Sequence, residues 1–289
     1  MSDPSISALQ SGKDHTQENF PVASFLVRPD ARGPVMAYYR FARAADDIAD
    51  NPDVGAEDKL RLLDWMRGGL EGGEAGAGAQ EAQDLARICR ARGITLAHAH
   101  ELLDAFEQDC LKNRYASWDE LMAYCRNSAM PVGRYVLDVH GEDRQLWPMN
   151  DALCAALQII NHLQDCGKDY RAIDRVYIPL PMLEEAGVAV EALGEVRSSP
   201  ALLGVIHALA RRTQGLLRAS ASFADAIRDT RLALEVAIIQ RLAEDLCAML
   251  LAGDPLAGGV HHGRWQAARL ALGAAMRQGA RRCFIRGKA

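Results

Sequence analysis

The sequence predicts an all-α protein. Alanine, leucine, arginine and glutamate are abundant among the 289 residues, whereas aromatic residues make up only 6%, and this composition favours helices. From Pro34 onward, apolar residues recur at steps of three and four almost everywhere, as they do on one face of a helix. No run of convincing length alternates apolar and polar residues, so no strand is predicted.

The apolar spacing places nine helices along the chain. Asn51-Pro52 ends the first, because the residue before a proline is biased away from the α region. Ser117 and Asp229 are suited to be N-caps, since a short side-chain oxygen can accept a hydrogen bond from the first turn. The predicted helices cover residues 34–50, 56–71, 80–92, 95–114, 117–141, 150–169, 199–226, 229–252 and 263–282.

The domain prediction is simple. Residues 1–18 are polar and expected to be mobile, and residues 19–289 are expected to form one domain. The glycine-rich stretch 72–79 is interpreted as a flexible connection within that domain. Residues 170–200 form the longest irregular piece, and long loops in compact domains often carry function.

Bulk properties exclude several classes of protein. A net charge of −5 argues against a general nucleic-acid binder. The seven cysteines include no C-x-x-C pair, which is typical of reduced thiols in a cytoplasmic protein. The N-terminus lacks signal-peptide regions, and no apolar run reaches the roughly 20 residues that span a bilayer. We therefore expect a cytoplasmic protein.

A first acidic stretch, "YYRFARAADDIAD", covers residues 38–50. Asp46 and Asp50 are four residues apart and share a helix face, with Asp47 one step around. Tyr39 and Arg43 precede them on the same side. A solvated helix face is one interpretation of this stripe, and a metal-diphosphate site is the other.

A second acidic stretch, "QIINHLQDCGKDY", covers residues 158–170. Gln158, Asn161, Asp165 and Asp169 again fall at steps of three and four among large apolar residues. One such stripe alone is typical of a solvated surface, but two inward-facing stripes favour a shared site. Mg²⁺ prefers oxygen ligands and is usually held by one or two carboxylates plus substrate phosphates.

With both stretches in place, the chain resembles the squalene/phytoene synthase family from Asn19 to about Gly253. The pieces that carry the resemblance are "YRFARAADDIAD", "DCLKNRY", "SWDELMAYC", "ALQIINHLQDCGKDY" and "RVYIP". The resemblance implies an isoprenoid-synthase-type helical bundle around a central apolar cavity, with residues 19–289 as its catalytic domain. It also implies two or three Mg²⁺ ions with the diphosphate, and no NADPH.

The resemblance also assigns roles to individual residues. Metal binding would fall to two pairs of carboxylates with two supporting residues, and substrate binding to six further positions. The metal set is Asp46, Asp50, Asp165 and Asp169, supported by Asp47 and Asn161. The substrate set is Phe20, Tyr39, Arg43, Gln158, Arg175 and Tyr177.

The variants "ENFPVASFLV" and "NSAMPVGRYVLDVHGE" most resemble the bacterial branch that serves hopanoid biosynthesis. That branch ionises presqualene diphosphate and captures the rearranged cation with water to give hydroxysqualene. Gln164 stands where many members carry an arginine, which removes a cation near the phosphates. Asn127 stands where an aromatic residue is common, and we hypothesise that it, or Ser128 beside it, orients the water.

Two alternatives stay open at this stage. One is the head-to-head condensation of two farnesyl diphosphates to presqualene diphosphate, squalene or phytoene. The other is a catalytically inactive helical assembly factor. The implied partners are a prenyl diphosphate substrate, a sibling presqualene diphosphate synthase and a downstream reductase, with no nucleic acid. The basic C-terminal segment 277–289 is either a solvated helix end or a peripheral contact with the inner membrane surface.

Overall fold

The computed structural model describes residues 26–73, 79–258 and 260–286. Within these residues the chain is α-helical, and the prediction of an all-α fold is confirmed. An isolated parallel bridge between Arg114 and Val176 is the nearest approach to a strand in the described part. The described helices are α1 (Pro29–Ala49), α2 (Ala56–Glu71), α3 (Gln80–Arg92), α4 (Ala97–Leu111), α5 (Trp118–Ser128), α6 (Met130–His140), α7 (Trp147–Gln164), α8 (Cys166–Ile173), α9 (Leu180–Glu185), α10 (Pro200–Ala219), α11 (Phe223–Ala226), α12 (Thr230–Ala252) and α13 (Arg264–Arg286).

Local chemistry explains several helix ends. Ser117 Oγ accepts a hydrogen bond from the Glu120 amide at 3.1 Å, and Asp229 Oδ1 accepts one from the Leu232 amide at 2.8 Å. Both predicted N-caps are therefore confirmed. α1 ends at Ala49, just before Asn51-Pro52, as the proline rule predicts.

Three predicted helices are each divided in two. The predicted helix 117–141 breaks at Ala129, where φ is −126° and ψ is −45°, just before a proline that cannot donate to the preceding turn. The predicted helix 150–169 breaks at Asp165, and 199–226 breaks after Ala219. The predicted loop 170–200 contains α9 and a short 3-10 helix at Val190–Gly194, so it is more ordered than expected.

The chain forms two compact units. The first contains the described residues up to Lys112 together with 131–143. Its core joins α1 to α2, α3, α4 and α6 through side chains such as Phe41 and Leu103, which are fully buried. The Tyr38 ring stacks on Tyr135 at 4.2 Å, and the Tyr38 hydroxyl donates to the His98 carbonyl oxygen at 2.9 Å. These contacts fix the first acidic stretch on a rigid helix.

The second unit contains residues 113–130 and those from Arg144 onward. α7 packs against α10 and α12, and α13 packs against α12. Leu153, Ile160, Leu209 and Leu246 are almost completely buried there, and burying each such side chain stabilises the fold by about 1.5–3 kcal/mol. The prediction of a single domain over residues 19–289 stays a prediction. In the described part of the chain, no helix is long and apolar enough to cross a membrane.

Candidate active site

The first acidic stretch lies on α1, which is continuous from Pro29 to Ala49. Arg43 bonds two carboxylates at once, with Asp46 at 2.8 Å and Asp47 at 3.0 Å. Asp47 is buried, with 5% of its side chain accessible, whereas Asp50 at the end of the helix is exposed. Tyr39 lies half-buried on the preceding turn. The structure therefore brings Arg43, Asp46 and Asp47 into direct contact, as their spacing predicts.

The environment of Asp46 disfavours its negative charge. Burial and, after it, the charge of Asp50 raise the pKa of this carboxyl to about 7, although 35% of the side chain stays accessible. Arg43 acts in the opposite direction, while Asp47 and Asp109 add to the increase. Burial and the neighbouring acids together disfavour the charged carboxylate, and an added cation would offset this.

Asp109 is a functional candidate that the sequence interpretation missed. It lies near the end of α4, is 7% exposed, and its charge acts on Asp46. The stretch "DCLKNRY" contains it, but nothing in the linear spacing connects position 109 to position 46. The available signal was its place in "DCLKNRY", a stretch that already carried the family resemblance.

The second acidic stretch spans a junction between two helices. Asp165 lies between α7 and α8, where φ is −98° and ψ is 6°. The hydrogen bonds nevertheless continue, because the Asp165 amide donates to the Asn161 carbonyl oxygen at 2.9 Å and the Asp169 amide to that of Asp165 at 2.8 Å. Asp165 is about one-third exposed, with the ammonium of Lys168 at 3.7 Å. The four-residue hydrogen-bond spacing of Asn161, Asp165 and Asp169 is therefore kept across the junction.

Gly167 makes this junction possible. A Cβ atom at this position would lie 2.5 Å from Leu256 Cδ2 and 3.1 Å from the Leu193 carbonyl oxygen. A larger residue at this position would require the Leu256 side chain and the backbone at Leu193 to shift. Asp165 and Asp169 take their positions from this close approach.

A cluster of rings lies beneath the second stretch. The His162 ring stacks on Tyr177 with centroids 3.3 Å apart, and Tyr115 and Tyr124 each lie 5.6 Å from Tyr177. Burial and, after it, the positive charge of Arg175 lower the pKa of His162 to about 3. The imidazole is therefore neutral at physiological pH and does not act as a cation toward phosphate.

Arg175 and Tyr177 contact each other. Both are buried, and Arg175 Nη1 donates to the Tyr177 hydroxyl at 3.4 Å. Their segment is anchored to residues 113–115 by two backbone hydrogen bonds of 2.9 Å, from the Val176 amide to the Asn113 carbonyl oxygen and from the Leu180 amide to that of Tyr115.

The other residues singled out from the sequence lie mainly on α5 and α7. Gln158 and Asn161 lie half-buried along α7, and Asn127 is half-buried near the end of α5. Next to Asn127, the hydroxyl of Ser128 is buried and has no hydrogen-bond partner among the described residues. Phe20 lies outside the described residues. Gln164 is turned toward residues 260–261, where its amide donates to the Val260 carbonyl oxygen and lies 3.2 Å from His261 Nδ1.

The donor chemistry of both stretches fits Mg²⁺. Each stretch supplies carboxylate oxygens, and Asn161 adds an amide, all of them hard ligands. The described residues contain no group of three or more His, Cys, Asp or Glu side chains arranged as a complete metal site. Such a site is expected to share its ions with the phosphates of a substrate.

Comparison with known proteins identifies the family. The chain matches squalene/phytoene synthase over residues 13–266 and belongs to that family. It is 50% identical to hydroxysqualene synthase of Zymomonas mobilis, covering 93% of this chain and 90% of the relative. It is 48% identical to hydroxysqualene synthase of Rhodopseudomonas palustris, covering 98% and 96%. By contrast, presqualene diphosphate synthase of Z. mobilis is 28% identical, covering 76% of each chain.

Solved structures agree with this fold. The squalene synthase HpnC from Alicyclobacillus acidocaldarius is 27% identical, with a TM-score of 0.70, and the alignment covers 84% of this chain and 90% of that one. A dehydrosqualene synthase gives a TM-score of 0.78 at 18% identity, covering 95% and 96%. The isoprenoid-synthase type of helical fold expected from the sequence is thus confirmed.

Proposed function

We propose that this enzyme ionises presqualene diphosphate and captures the rearranged carbocation with water, which gives hydroxysqualene and diphosphate. The observation that carries the proposal is the contrast between relatives from one organism. The chain is 50% identical to the hydroxysqualene synthase of Z. mobilis and 28% identical to its presqualene diphosphate synthase. A presqualene diphosphate synthase would supply the substrate, and a reductase would consume the product.

In this proposal the two acidic stretches hold Mg²⁺ together with the substrate diphosphate. Asp46, Asp50, Asp165 and Asp169 are the ligands, supported by Asp47 and Asn161. When bound, Mg²⁺ would stabilise the negative charge that develops on the leaving oxygen. The raised pKa of Asp46 supports this assignment, since a carboxylate in a negative field gains most from a cation.

Arginines complete the diphosphate end. Arg43 and Arg175 are the proposed donors, because a guanidinium offers several N–H groups in a geometry that matches phosphate oxygens. Tyr39, Gln158, Tyr177 and Phe20 line the same end. Gln164 adds no charge there, and its amide is engaged with residues 260–261. A site with fewer cations suits one diphosphate better than two.

Water capture is assigned to Asn127, with Ser128 beside it. Both are half-buried at the end of α5, and the Ser128 hydroxyl has no partner among the described residues. A buried hydroxyl without a partner costs free energy, which a bound water would recover. The carbocation requires an otherwise apolar pocket, because stray water would divert it.

The test is product identification. Purified protein is incubated with Mg²⁺ and presqualene diphosphate, and separately with farnesyl diphosphate. We expect hydroxysqualene from the first substrate and no condensation of the second. Formation of presqualene diphosphate from farnesyl diphosphate would instead support the condensing activity of the sibling enzymes. Replacement of Asn127 or Ser128 by alanine should shift the product away from the alcohol, and unchanged alcohol yield in both variants would remove their role.

We also propose that α13 contacts the inner membrane surface. Trp265, Leu272 and Met276 are 90%, 64% and 67% exposed, and their spacing of seven and four places them on one side of the helix. The exposed Arg264 suits anionic headgroups. Replacement of the three apolar residues by serine should abolish sedimentation with anionic vesicles, and unchanged sedimentation would exclude this contact.

A further inference from the structure

A cavity of about 440 Å³ lies within the second unit, between α13, α12 and residues 220–225. Its volume is in the range of small-molecule sites. None of the residues proposed above for catalysis lines it. Its charged and amide side chains are Asp225, Gln240, Arg241, Glu244, Arg269, Arg277, Gln278 and Arg281.

Contacts at both ends of α13 hold the cavity open. Near the start of the helix, Asp245 accepts a hydrogen bond from Gln266 Nε2 at 2.9 Å and lies 3.1 Å from His262 Nε2. Near its other end, Gln278 Nε2 donates to the Ala224 carbonyl oxygen at 3.1 Å, and Arg282 donates to that of Ile227 at 2.8 Å. The space lies between these two attachments, so it is a built feature of the fold.

The wall that α13 contributes is strongly basic. Arg269, Gly273, Arg277 and Arg281 follow each other at steps of four and therefore share one face. A Cβ atom at Gly273 would meet no atom within 4 Å, so this glycine leaves the space between the arginines open. The arginines at 277 and 281 repel each other, which costs about 0.2–0.5 kcal/mol at this spacing.

Two of these arginines have no acidic partner among the described residues. Arg281 pairs with Asp225 at 3.2 Å, and Arg241 on the opposite wall pairs with Glu244 at 3.5 Å. Within the described part of the chain, Arg269 and Arg277 form no ion pair. The cavity thus carries an excess of positive charge.

That excess belongs to a distinctive part of the sequence. Residues 260–289 contain seven of the 33 lysines and arginines and none of the 38 acidic residues, although the whole chain has a net charge of −5. The family match ends at residue 266, so almost all of α13 lies beyond it. The basic wall is therefore a feature of this chain outside the matched region.

From these observations we infer that the cavity binds a phosphate-bearing anion through Arg269 and Arg277. Guanidinium groups bind phosphate oxygens bidentately, and the anion would neutralise the two arginines that lack an acid. The same chemistry is offered by a free diphosphate and by the phosphate of an anionic lipid. This site is separate from the proposed diphosphate site at the acidic stretches.

The test measures binding of inorganic diphosphate by calorimetry in metal-free buffer. The native aspartates are kept, because without Mg²⁺ their negative charges repel an anion from the proposed catalytic site. We expect Arg269→Gln with Arg277→Gln to weaken binding at least about tenfold. Arg211→Gln, an exposed arginine of α10 outside the cavity lining, should leave binding unchanged. Because the contacts are charged, higher salt should also weaken binding.

A second arm uses vesicles that contain phosphatidylglycerol. If the anion is lipid-borne, the double arginine variant should lose vesicle binding although its apolar stripe at 265, 272 and 276 is intact, and free diphosphate should bind weakly. If the anion is free, replacement of the apolar stripe should leave diphosphate binding unchanged. Equal binding of both probes by the wild type and the double arginine variant would overturn the inference, and so would failure of the wild type to bind either probe.

Discussion

The two acidic stretches share the same four-residue spacing of aspartates but differ in their surroundings. In the first, Asp46 and Asp47 lie in the middle of an unbroken helix, and one guanidinium bonds both of them. In the second, Asp165 lies at a helix junction, and its nearest described cation is the exposed Lys168 at 3.7 Å. In the first stretch a buried carboxylate is balanced by an arginine, whereas in the second the backbone packs closely against its neighbours.

This difference separates two ways of building a carboxylate site. The first stretch depends on electrostatic balance, because removing its arginine leaves a buried carboxylate without its counter-charge. The second depends on shape, since a larger residue at Gly167 would require its neighbours to shift. The following predictions test each dependence.

The largest expected effect is on catalysis and is common to both stretches. Asp46→Asn and Asp169→Asn each remove a proposed metal ligand, and we expect each to lower kcat/KM by on the order of 10²- to 10³-fold. Activity on presqualene diphosphate measures this loss, and thermal melting confirms that the variants are folded. Activity within about tenfold of the wild type in either variant would remove that stretch from the site.

The next effect is on stability and should distinguish the stretches. Arg43→Met leaves Asp47 buried without its partner, and we expect the free energy of unfolding to fall by about 2–3 kcal/mol. The matched change in the second stretch, Lys168→Met, removes an exposed ion pair and should cost less than about 0.5 kcal/mol. Urea denaturation measures both. Equal losses would mean that burial does not distinguish the two stretches.

A smaller effect tests the packing at the second stretch. Gly167→Ala places a methyl group against Leu256 and the Leu193 carbonyl oxygen, and we expect a loss of about 1–3 kcal/mol. Gly204→Ala is the control, since this glycine is at an exposed position of α10 and a Cβ atom there would meet no atom within 4 Å. It should be neutral or stabilise the protein by up to about 1 kcal/mol. Similar results for both variants would show that α8 adjusts freely.

The sequence predicted much of this architecture because a helix leaves a pattern in neighbouring residues. Apolar spacing and the N-caps at Ser117 and Asp229 predicted α2, α3 and α12 to within one residue. The breaks at Ala129 and Asp165 were missed. Apolar spacing continues across both, and the close approach of Gly167 to Leu193 and Leu256 involves residues far along the chain that spacing does not reveal.

The sequence predicted which residues belong to the candidate site better than it predicted the interactions between distant residues there. The spacing predicted that Arg43 contacts the carboxylates of Asp46 and Asp47. It could not predict the influence of Asp109 on Asp46 or the stack of His162 on Tyr177, because both require two distant segments to meet. The roles of these residues in metal and substrate binding stay predictions.

The smallest effect concerns pH, for which the two stretches should behave in opposite ways in the metal-free protein. The folded-state pKa of His162, about 3, lies below its ordinary 6.5. The unfolded chain therefore binds a proton first as pH falls from about 6.5 to about 3, and stability falls by up to about 1.4 kcal/mol per pH unit. The folded-state pKa of Asp46, about 7, lies above its ordinary 3.8, so its contribution falls as pH rises through that window.

His162→Phe should remove the first slope while keeping a ring against Tyr177. Urea denaturation at pH 5 and pH 7 should then show the variant gaining stability relative to the wild type at the lower pH. Tyr177→Phe, which keeps the ring and the histidine, is the control and should retain the wild-type slope. A slope unchanged by His162→Phe would mean that the imidazole takes up its proton in the folded protein as readily as in the unfolded chain. The buried ring cluster would then be open to water, and the second stretch would lack the rigid support that its geometry indicates.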